Sequence, residues 1–252
     1  MTLLQLDQVN YAYSSEAVGL DNVSFTLEKG SKVALMGANG SGKSTLFQTL
    51  AGILKPQHGH YLLLNKVFRY CRKYRRQLSQ TIGYVFQDPD VQVVATHVYD
   101  DVAYGLRNKG MKEHEIKPRV EAYLDLVGIS DLKDKAIHTL SYGQKKQVAL
   151  AGVLVMEPQI ILLDEPFAWL DYPQSCRLRA LLNDLHQQGL TIVVSTHDSQ
   201  FANEWAERIL VMKKGQLAVD SSGNELFNDD ELVAEMLIAP VSVRERESCH
   251  LV

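Results

Sequence analysis

Eight residues near the start of the chain have the composition of a loop that binds phosphate. The run Gly37-Ala38-Asn39-Gly40-Ser41-Gly42-Lys43-Ser44 matches the pattern GxxxxGK[ST]. Its glycines let backbone N–H groups face an anion, Lys43 can reach the outer phosphates, and Ser44 can coordinate Mg²⁺. An ordinary glycine turn is the alternative, but an apolar strand precedes the run and a helical segment follows it. The predicted nucleotide-binding residues are Gly37, Ala38, Asn39, Gly40, Ser41, Gly42, Lys43, Ser44 and Thr45.

Two carboxylates follow a second apolar strand. Residues 160–163 are Ile-Ile-Leu-Leu and lead directly into Asp164 and Glu165. Ligands bind at the carboxyl ends of strands in an open α/β sheet. There Asp164 can hold Mg²⁺ through water, and Glu165 can polarise the water that attacks a γ-phosphate. An acidic pair at a strand end is commonly a helix cap, but together with the phosphate loop it favours a catalytic role.

One histidine lies at the end of a third apolar strand. Residues 191–195 are Thr-Ile-Val-Val-Ser, and His197 follows two positions later. A single histidine is usually a structural or surface residue. Because this one follows a parallel strand of the same predicted sheet, it can reach the same phosphates and sense a γ-phosphate.

A second candidate anion site lies about a hundred residues after the first loop. In Leu140-Ser141-Tyr142-Gly143-Gln144 a hydroxyl and a glycine precede an amphipathic helix, so a helix N-terminus is again available to an anion. Two complete phosphate sites for one nucleotide are seldom needed. Either the chain has two sites, or this loop serves the nucleotide of another subunit, or Ser141 is only a helix cap.

The elements that must position these residues alternate between short apolar runs and helical periods, as in an α/β domain with a largely parallel sheet. Residues 3–13 and 22–27 are predicted strands that come first. Further strands are predicted at 32–36, 82–86, 160–163, 191–195 and 208–212. Helical spacing dominates from residue 96 to 156, which predicts a helical insert with helices at 98–107, 113–127 and 144–155. His58 and His60 flank Gly59 in a predicted turn.

Composition excludes several classes of protein. The 252 residues are 46% apolar and 22% charged, which is typical of a folded globular chain. The net charge of −4, without acidic or basic tails, argues against a dedicated nucleic-acid binder. The basic run between Arg69 and Arg76 is interpreted as a solvated helix face. No apolar stretch approaches the length that crosses a bilayer.

Taken in order, these motifs resemble the ATP-binding subunit of ABC transporters, and the resemblance covers residues 3–236. It implies an α/β P-loop NTPase fold with a RecA-like mixed sheet core, an N-terminal antiparallel β-subdomain and an inserted α-helical subdomain. The nucleotide-binding domain would span residues 1–238, and residues 239–252 would form a short tail. The sequence departs from the family pattern at Tyr142, which replaces a glycine, at Phe167 and Trp169, which replace smaller residues, and at Gln147, where many relatives carry arginine.

The resemblance also implies roles for individual residues, with ATP and Mg²⁺ as cofactors. Residues 37–44 would be the Walker A loop and 140–144 the signature motif, which binds the nucleotide of a second ATPase subunit, identical or paralogous, in a head-to-tail dimer. Tyr13 would stack on adenine, although Tyr11 faces the same side of its strand. The implied catalytic residues are Glu165, His197 and Gln87. The implied metal ligands are Ser44, Gln87 and Asp164. The signature residues that would bind the partner's nucleotide are Ser141, Tyr142, Gly143 and Gln144, and Asp171 would be the D-loop residue of the dimer.

A finer resemblance, carried by residues 86–92, 100–105 and 144–149, is to the ATPases of energy-coupling-factor importers of the cobalt/nickel type. It implies partners in a transmembrane coupling protein, contacted by the segment that contains Gln92, and a substrate-binding membrane subunit. The chain would then lie peripherally on the cytoplasmic face of the membrane, bind no nucleic acid, and power import of a small solute such as cobalt or nickel. The alternatives are a vitamin or other small-molecule importer, and a soluble ABC ATPase acting on nucleic acid or ribosomes.

Overall fold

The computed structural model describes residues 1–14, 17–236 and 238–241, in which two sheets and a group of helices form the fold. The strands are β1 (Thr2–Ala12), β2 (Val18–Glu28), β3 (Lys32–Met36), β4 (His58–Leu63), β5 (Lys66–Val67), β6 (Ile82–Val85), β7 (Ile160–Asp164), β8 (Thr191–Ser195), β9 (Arg208–Lys213) and β10 (Gln216–Ser221). The α-helices are α1 (Lys43–Leu50), α2 (Arg72–Thr81), α3 (Val98–Asn108), α4 (Glu113–Leu126), α5 (Tyr142–Leu154), α6 (Tyr172–Gln187), α7 (Ser199–Trp205), α8 (Gly223–Phe227) and α9 (Asp230–Glu235).

The smaller sheet is antiparallel, in the order β2-β1-β4-β5. The turn predicted around Gly59 is wrong, because His58 and His60 begin β4 and pair with Asn10 and Asp7 of β1. The register of the two strands shifts between these pairs. A Cβ on Gly59 would lie 2.3 Å from the carbonyl oxygen of Gln8. The glycine therefore marks a close approach of two backbones at an irregular part of the ladder, not a reversal of the chain.

The larger sheet has the order β10-β9-β3-β8-β7-β6 and is parallel except for the edge strand β10. Strands β7 and β8 are buried along their whole length. Burial on both faces explains their continuous apolar sequences. Because β3, β6, β7 and β8 run in the same direction, their carboxyl ends meet along one edge, where the predicted motifs follow.

The helical insert is formed by α3, α4 and α5, which lie between β6 and β7 in the chain. Val102, Val120 and Val148, one from each helix, are fully buried in one cluster with side chains of β7, β8 and α6. Helix α5 begins at Tyr142, two residues before the predicted start, because Ser141 already caps it. The fold class predicted from the sequence is confirmed: a mixed sheet core, an antiparallel β-subdomain and an α-helical insert.

Among the residues that the structure describes, no helix is both long and apolar enough to cross a bilayer. The basic run predicted to be a solvated helix face lies largely on α2, whose arginine side chains are exposed. The predicted tail, residues 239–252, lies outside the described residues from position 242 onward.

Candidate functional site

The glycine-rich loop connects the carboxyl end of β3 to the first turn of α1. Gly37 has φ 136°, and a Cβ there would lie 2.2 Å from the carbonyl oxygen of Met212. Only glycine fits this position. Gly42 is the N-cap of α1 and has no side chain to accept from the first-turn N–H groups. These donors, with the positive end of the helix dipole, are directed to the loop and form an anion site.

Lys43 places its charge over the same loop. Its Nζ donates to the carbonyl oxygens of Gly37 at 2.7 Å and Ala38 at 3.2 Å, and burial lowers the pKa of this lysine. The Oγ of Ser41 is buried in the loop and has no hydrogen-bond partner among the described residues. A buried hydroxyl without a partner in the protein can form its hydrogen bond with a bound ligand.

A cleft of about 490 Å³ opens above the loop. Its lining combines Asn39, Gly40, Ser41, Gly42, Lys43, Ser44 and Thr45 of the loop with Tyr13, Val18, Gly19, Gln87, Asp164, Glu165, Ala168, Trp169 and His197. The structure thus brings together residues that are more than 180 positions apart in sequence. The lining does not include Gly37 or Ala38, which lie in the base of the loop, nor Ser141, Tyr142, Gly143, Gln144 or Asp171.

Asp164 is held rigidly at the end of β7. Only 4% of its surface is exposed, and both carboxylate oxygens are occupied: Ser195 Oγ donates to Oδ1 at 2.5 Å and Tyr84 Oη donates to Oδ2 at 3.1 Å. Burial and the neighbouring Asp164 raise the pKa of Tyr84, so the phenol keeps its proton. Neither supporting residue was predicted, although Ser195 stands opposite Asp164 in the register of β7 and β8.

Glu165 has an unusual backbone and an unusual pKa. Its φ is 46°, in the left-handed region, and its N–H donates to Ser195 Oγ at 2.9 Å. Burial raises the pKa of the carboxyl to about 7, although Lys43 and Lys146 act to lower it. A carboxylate whose pKa lies near neutrality is suited to accept a proton from water.

His197 lies against that carboxylate. Its Nε2 is 3.1 Å from Glu165 Oε1, but the two groups are not aligned as a hydrogen bond and Oε1 has no aligned donor among the described residues. Burial and the charge of Lys43 lower the pKa of His197, so its ring is mainly neutral at pH 7. The pair can therefore orient a water molecule with one donor and one acceptor, and His197 can donate to a phosphate oxygen.

Comparison with known proteins agrees with this geometry. The family profile described as "ABC transporter" matches residues 20–168, more than half of the chain. The chain belongs to the ABC transporter family. It is 42% identical over 231 residues to the energy-coupling factor transporter ATP-binding protein EcfA2 of Methanospirillum hungatei, covering 92% of this chain and 58% of that relative. The chain thus spans little more than half the length of that curated relative.

Two solved structures of ABC proteins share the fold. The first is cbiO1 of Clostridium perfringens, part of the ABC transporter complex cbiONQ, with a TM-score of 0.81, 41% identity, and 93% of this chain and 94% of that chain covered. The second is the dimeric structure of the bacterial ABC transporter cassette MJ0796, with a TM-score of 0.80, 28% identity, and coverage of 87% and 98%. The resemblance to energy-coupling factor ATPases predicted from the sequence is confirmed, and the chain is an ABC ATPase.

The predicted signature residues of this ABC ATPase do not line the cleft, and the start of their helix is capped by side chains of the loop itself. Ser141 Oγ accepts from the N–H of Gln144 at 3.3 Å, and Gln144 Oε1 accepts from the N–H of Ser141 at 3.0 Å. The unusual Tyr142 donates through Oη to the carbonyl oxygen of Gln87 at 3.2 Å. Its ring is 6.4 Å from that of Trp169. The tyrosine thus links the signature loop to Gln87, the glutamine that the family resemblance assigns to the Q-loop, within the same chain.

The D-loop residue Asp171 is the N-cap of α6. Its Oδ1 accepts from the N–H of Gln174 at 2.8 Å, and Gln174 Oε1 accepts from the N–H of Asp171 at 3.2 Å. A Cβ on Gly143 would lie 3.0 Å from Gln174 Oε1, so the first turns of α5 and α6 are in close contact. Asp171 therefore has a structural role in this chain, and a role between subunits remains a proposal.

The two tyrosines near the cleft occupy different surroundings. Tyr13 lies just after β1 and lines the cleft; 58% of its surface is exposed, and its Oη is 3.1 Å from Thr45 Oγ1. Tyr11 is partly buried and packs against the core of the N-terminal sheet. The rings meet edge to face with centroids 5.0 Å apart. This placement favours Tyr13 as the ring that is accessible to a base.

The segment after the Q-loop forms a short 3-10 helix, Pro89–Val91. Val91 on this helix is 68% exposed, whereas the side chain of Gln92 accepts from the N–H of Phe86 at 2.9 Å and donates to the carbonyl oxygen of Tyr84 at 3.3 Å. Gln92 therefore holds the end of β6. The segment instead presents the side chain of Val91 to the outside.

The cleft fits a magnesium nucleotide. The loop amides, the unmatched Ser41 hydroxyl and Lys43 suit the phosphates. Ser44 and Asp164 supply the oxygen ligands that Mg²⁺ prefers, together with the amide oxygen of Gln87.

Proposed function

We propose that this ABC ATPase binds and hydrolyses ATP to power import of a small solute through separate transmembrane subunits. The convergence of Lys43, Asp164, Glu165 and His197 in one cleft carries the proposal. Bound ATP would supply the phosphoanhydride bond and Mg²⁺ would neutralise its charge. Within the chain, Lys43 and the loop amides bind the phosphates, Asp164 and Ser44 hold the metal, and Glu165 accepts a proton from water at its carboxylate.

Two ATPase subunits, identical or paralogous, would close head to tail. The support is that the signature residues Ser141 to Gln144 lie outside the cleft of their own chain although they start a helix suited to an anion. The dimeric MJ0796 cassette shows that a protein of this fold forms pairs. In the proposed dimer, the loop of one subunit completes the site of the other.

The membrane partners would be a coupling protein and a substrate-binding subunit, with the ATPase on the cytoplasmic face. Exposed apolar side chains support this: Val91, Val94 and Tyr104 all lie on the segment from the Q-loop to α3. The names of the relatives EcfA2 and cbiO1 support an importer of the energy-coupling-factor kind. A cobalt or nickel ion is the proposed solute, with a vitamin as the alternative cargo.

Purification from membranes tests the proposal. A tagged chain extracted in detergent is expected to bring integral membrane proteins with it. Val91→Asp should reduce their recovery, while ATP binding is kept because Val91 is exposed and outside the cleft. Val67→Asp, at another exposed valine on β5, is the matched control and should leave recovery unchanged. Recovery of ribosomes or nucleic acid in place of membrane proteins would assign the chain to a soluble ABC ATPase.

Uptake measurements then identify the solute. Cells lacking the ATPase should lose ATP-dependent uptake of radioactive cobalt or nickel and regain it with the wild-type gene but not with the Glu165→Gln variant. Loss of vitamin uptake with normal metal uptake would instead assign the vitamin as cargo.

A further inference from the structure

A buried lysine on the signature helix binds the loop that carries Glu165. Lys146 is 7% exposed, and its Nζ donates to three carbonyl oxygens: Glu165 at 3.0 Å, Pro166 at 3.3 Å and Ala168 at 2.8 Å. An ammonium group has three protons, so all of its hydrogen-bonding capacity is used on this one loop. Burial lowers the pKa of Lys146 to about 8, so the group is still mainly charged at pH 7.

The three contacts fix a strained part of the backbone. Glu165 has φ 46° and Trp169 has φ 68°, both in the region that residues other than glycine seldom adopt. Such conformations persist where surrounding groups hold them. At Glu165 the N–H is held by Ser195 and the carbonyl oxygen by Lys146, so both peptide groups of this residue are anchored. The direction of the carboxylate into the cleft follows from that backbone.

The lysine also connects two functional regions of one chain. It lies one helical turn after Tyr142, whose ring centroid is 5.7 Å from Nζ and whose Oη donates to the Q-loop residue Gln87. Helix α5 thus contacts both the loop that carries Glu165 and the residue Gln87. A shift of this helix changes the position of the three carbonyl groups that Lys146 holds.

We propose that Lys146 is a positioning residue that couples the signature helix to the Glu165 carboxylate. The proposal rests on the catalytic role proposed above for Glu165. It assigns to Lys146 an effect on the rate of hydrolysis, not on the binding of nucleotide, because its contacts are with the loop backbone and it does not line the cleft.

Steady-state ATP hydrolysis and nucleotide binding by the full chain test the proposal. For Lys146→Met we expect kcat to fall about tenfold to a hundredfold, as misplacement of a catalytic group by about 1 Å can produce, with KM and nucleotide affinity close to wild type. Lys146→Arg should recover part of the rate, since it keeps a buried cation. The matched control is Lys145→Met, which removes the neighbouring lysine of the same helix, whose Nζ binds Asp90 at 2.6 Å, and should keep the wild-type rate.

A double variant separates positioning from general damage. Lys146→Met added to Glu165→Gln should cause little further loss, because the carboxylate that Lys146 positions has already been replaced. A full additional loss in the double variant, or equal loss of rate and nucleotide affinity in Lys146→Met, would overturn the proposal. Lys146→Gln, which keeps two N–H donors, replaces the methionine variant if thermal melting shows that the latter is unfolded.

The same experiment keeps the two proposals apart. If Glu165→Gln hydrolyses ATP at the wild-type rate, the catalytic role of Glu165 fails, and the inference about Lys146 fails with it. If Glu165→Gln is slow and Lys146→Met is not, the role of Lys146 alone is wrong.

Discussion

The Walker A loop and the signature loop have similar compositions, but only in the signature loop do side chains cap the helix that follows. Each combines a hydroxyl and a glycine at the start of a helix that has no acidic residue in its first turn, so the positive end of the dipole is uncompensated in both α1 and α5. At α1 the N-cap is Gly42, and no side chain accepts from the first-turn amides. At α5 the cap is Ser141, and a reciprocal pair with Gln144 satisfies two backbone donors.

The difference shows which loop is built around a ligand. The first loop faces Asp164, Glu165 and His197 across the cleft, so chemistry on a bound phosphate is available within the chain. The second loop is capped by its own side chains, and it does not line the cleft that contains those three groups. A loop of this kind can contribute to a site only when another molecule brings the phosphates to it.

The largest effect is expected at Glu165, which lines the same cleft as the first loop. Glu165→Gln should lower ATP hydrolysis about a hundredfold or more, the usual contribution of a general base, while ATP binding is retained because the phosphate loop is unchanged. Hydrolysis and equilibrium binding of the purified chain measure both. Glu157→Gln is the control, since Glu157 also has a left-handed backbone, with φ 52°, but pairs with Arg119 on the surface. Turnover at the wild-type rate in Glu165→Gln would remove this residue from the reaction.

The next effect concerns binding at the first loop. Lys43→Ala should weaken ATP affinity about tenfold to a hundredfold, because a hydrogen bond to a charged group contributes about 1.5–3 kcal/mol. Lys32→Ala is the control: this lysine begins the same strand β3, bonds Asn183, and lies outside the cleft. Calorimetric titration with ATP separates the two variants. Equal affinity in both would mean that Lys43 serves only to hold its own loop.

A smaller effect distinguishes a cap from a ligand at the second loop. Ser141→Ala removes a helix cap, and so does Ser222→Ala, because Ser222 and Glu225 form the same reciprocal pair on α8. Each should cost about 1 kcal/mol of unfolding free energy. Only Ser141→Ala should also slow hydrolysis, by about tenfold, if its hydroxyl contacts the phosphates of a second subunit. Denaturant melts and hydrolysis assays at several protein concentrations test this; equal hydrolysis in both variants would leave Ser141 as a cap alone.

The sequence was sufficient for the parts of the site that local pattern determines. Glycine spacing identified the loop at 37–44, and apolar runs located the ends of β7 and β8, because a buried parallel strand has a continuous apolar sequence. Contacts made through the tertiary structure could not be found in this way. Lys146 looks like one more lysine of a polar helix start, and its three carbonyl partners lie about twenty residues away.

The strand β4 was missed for a related reason. Gly59 between two histidines has the composition of a turn, yet this glycine is required because the backbone of Gln8 passes close to it. Composition alone does not distinguish a reversal of the chain from a close approach of two strands. The support of Asp164 by Tyr84 likewise depends on how β6 and β7 pair, which no local pattern gives.

The smallest effect tests how far the first site extends beyond its phosphate loop. Tyr13→Ala should weaken ATP affinity about fivefold, because stacking on a base contributes at least about 1 kcal/mol and Tyr13 is exposed at the cleft. Tyr11→Ala is the matched control, since its ring packs against the N-terminal core and its loss should lower the melting temperature with little change in affinity. Titration with ATP and with inorganic triphosphate separates the base from the phosphates: the Tyr13 variant should bind triphosphate as the wild type does. If Tyr11→Ala alone weakens ATP binding, the roles of the two rings are exchanged, and the first site begins within β1.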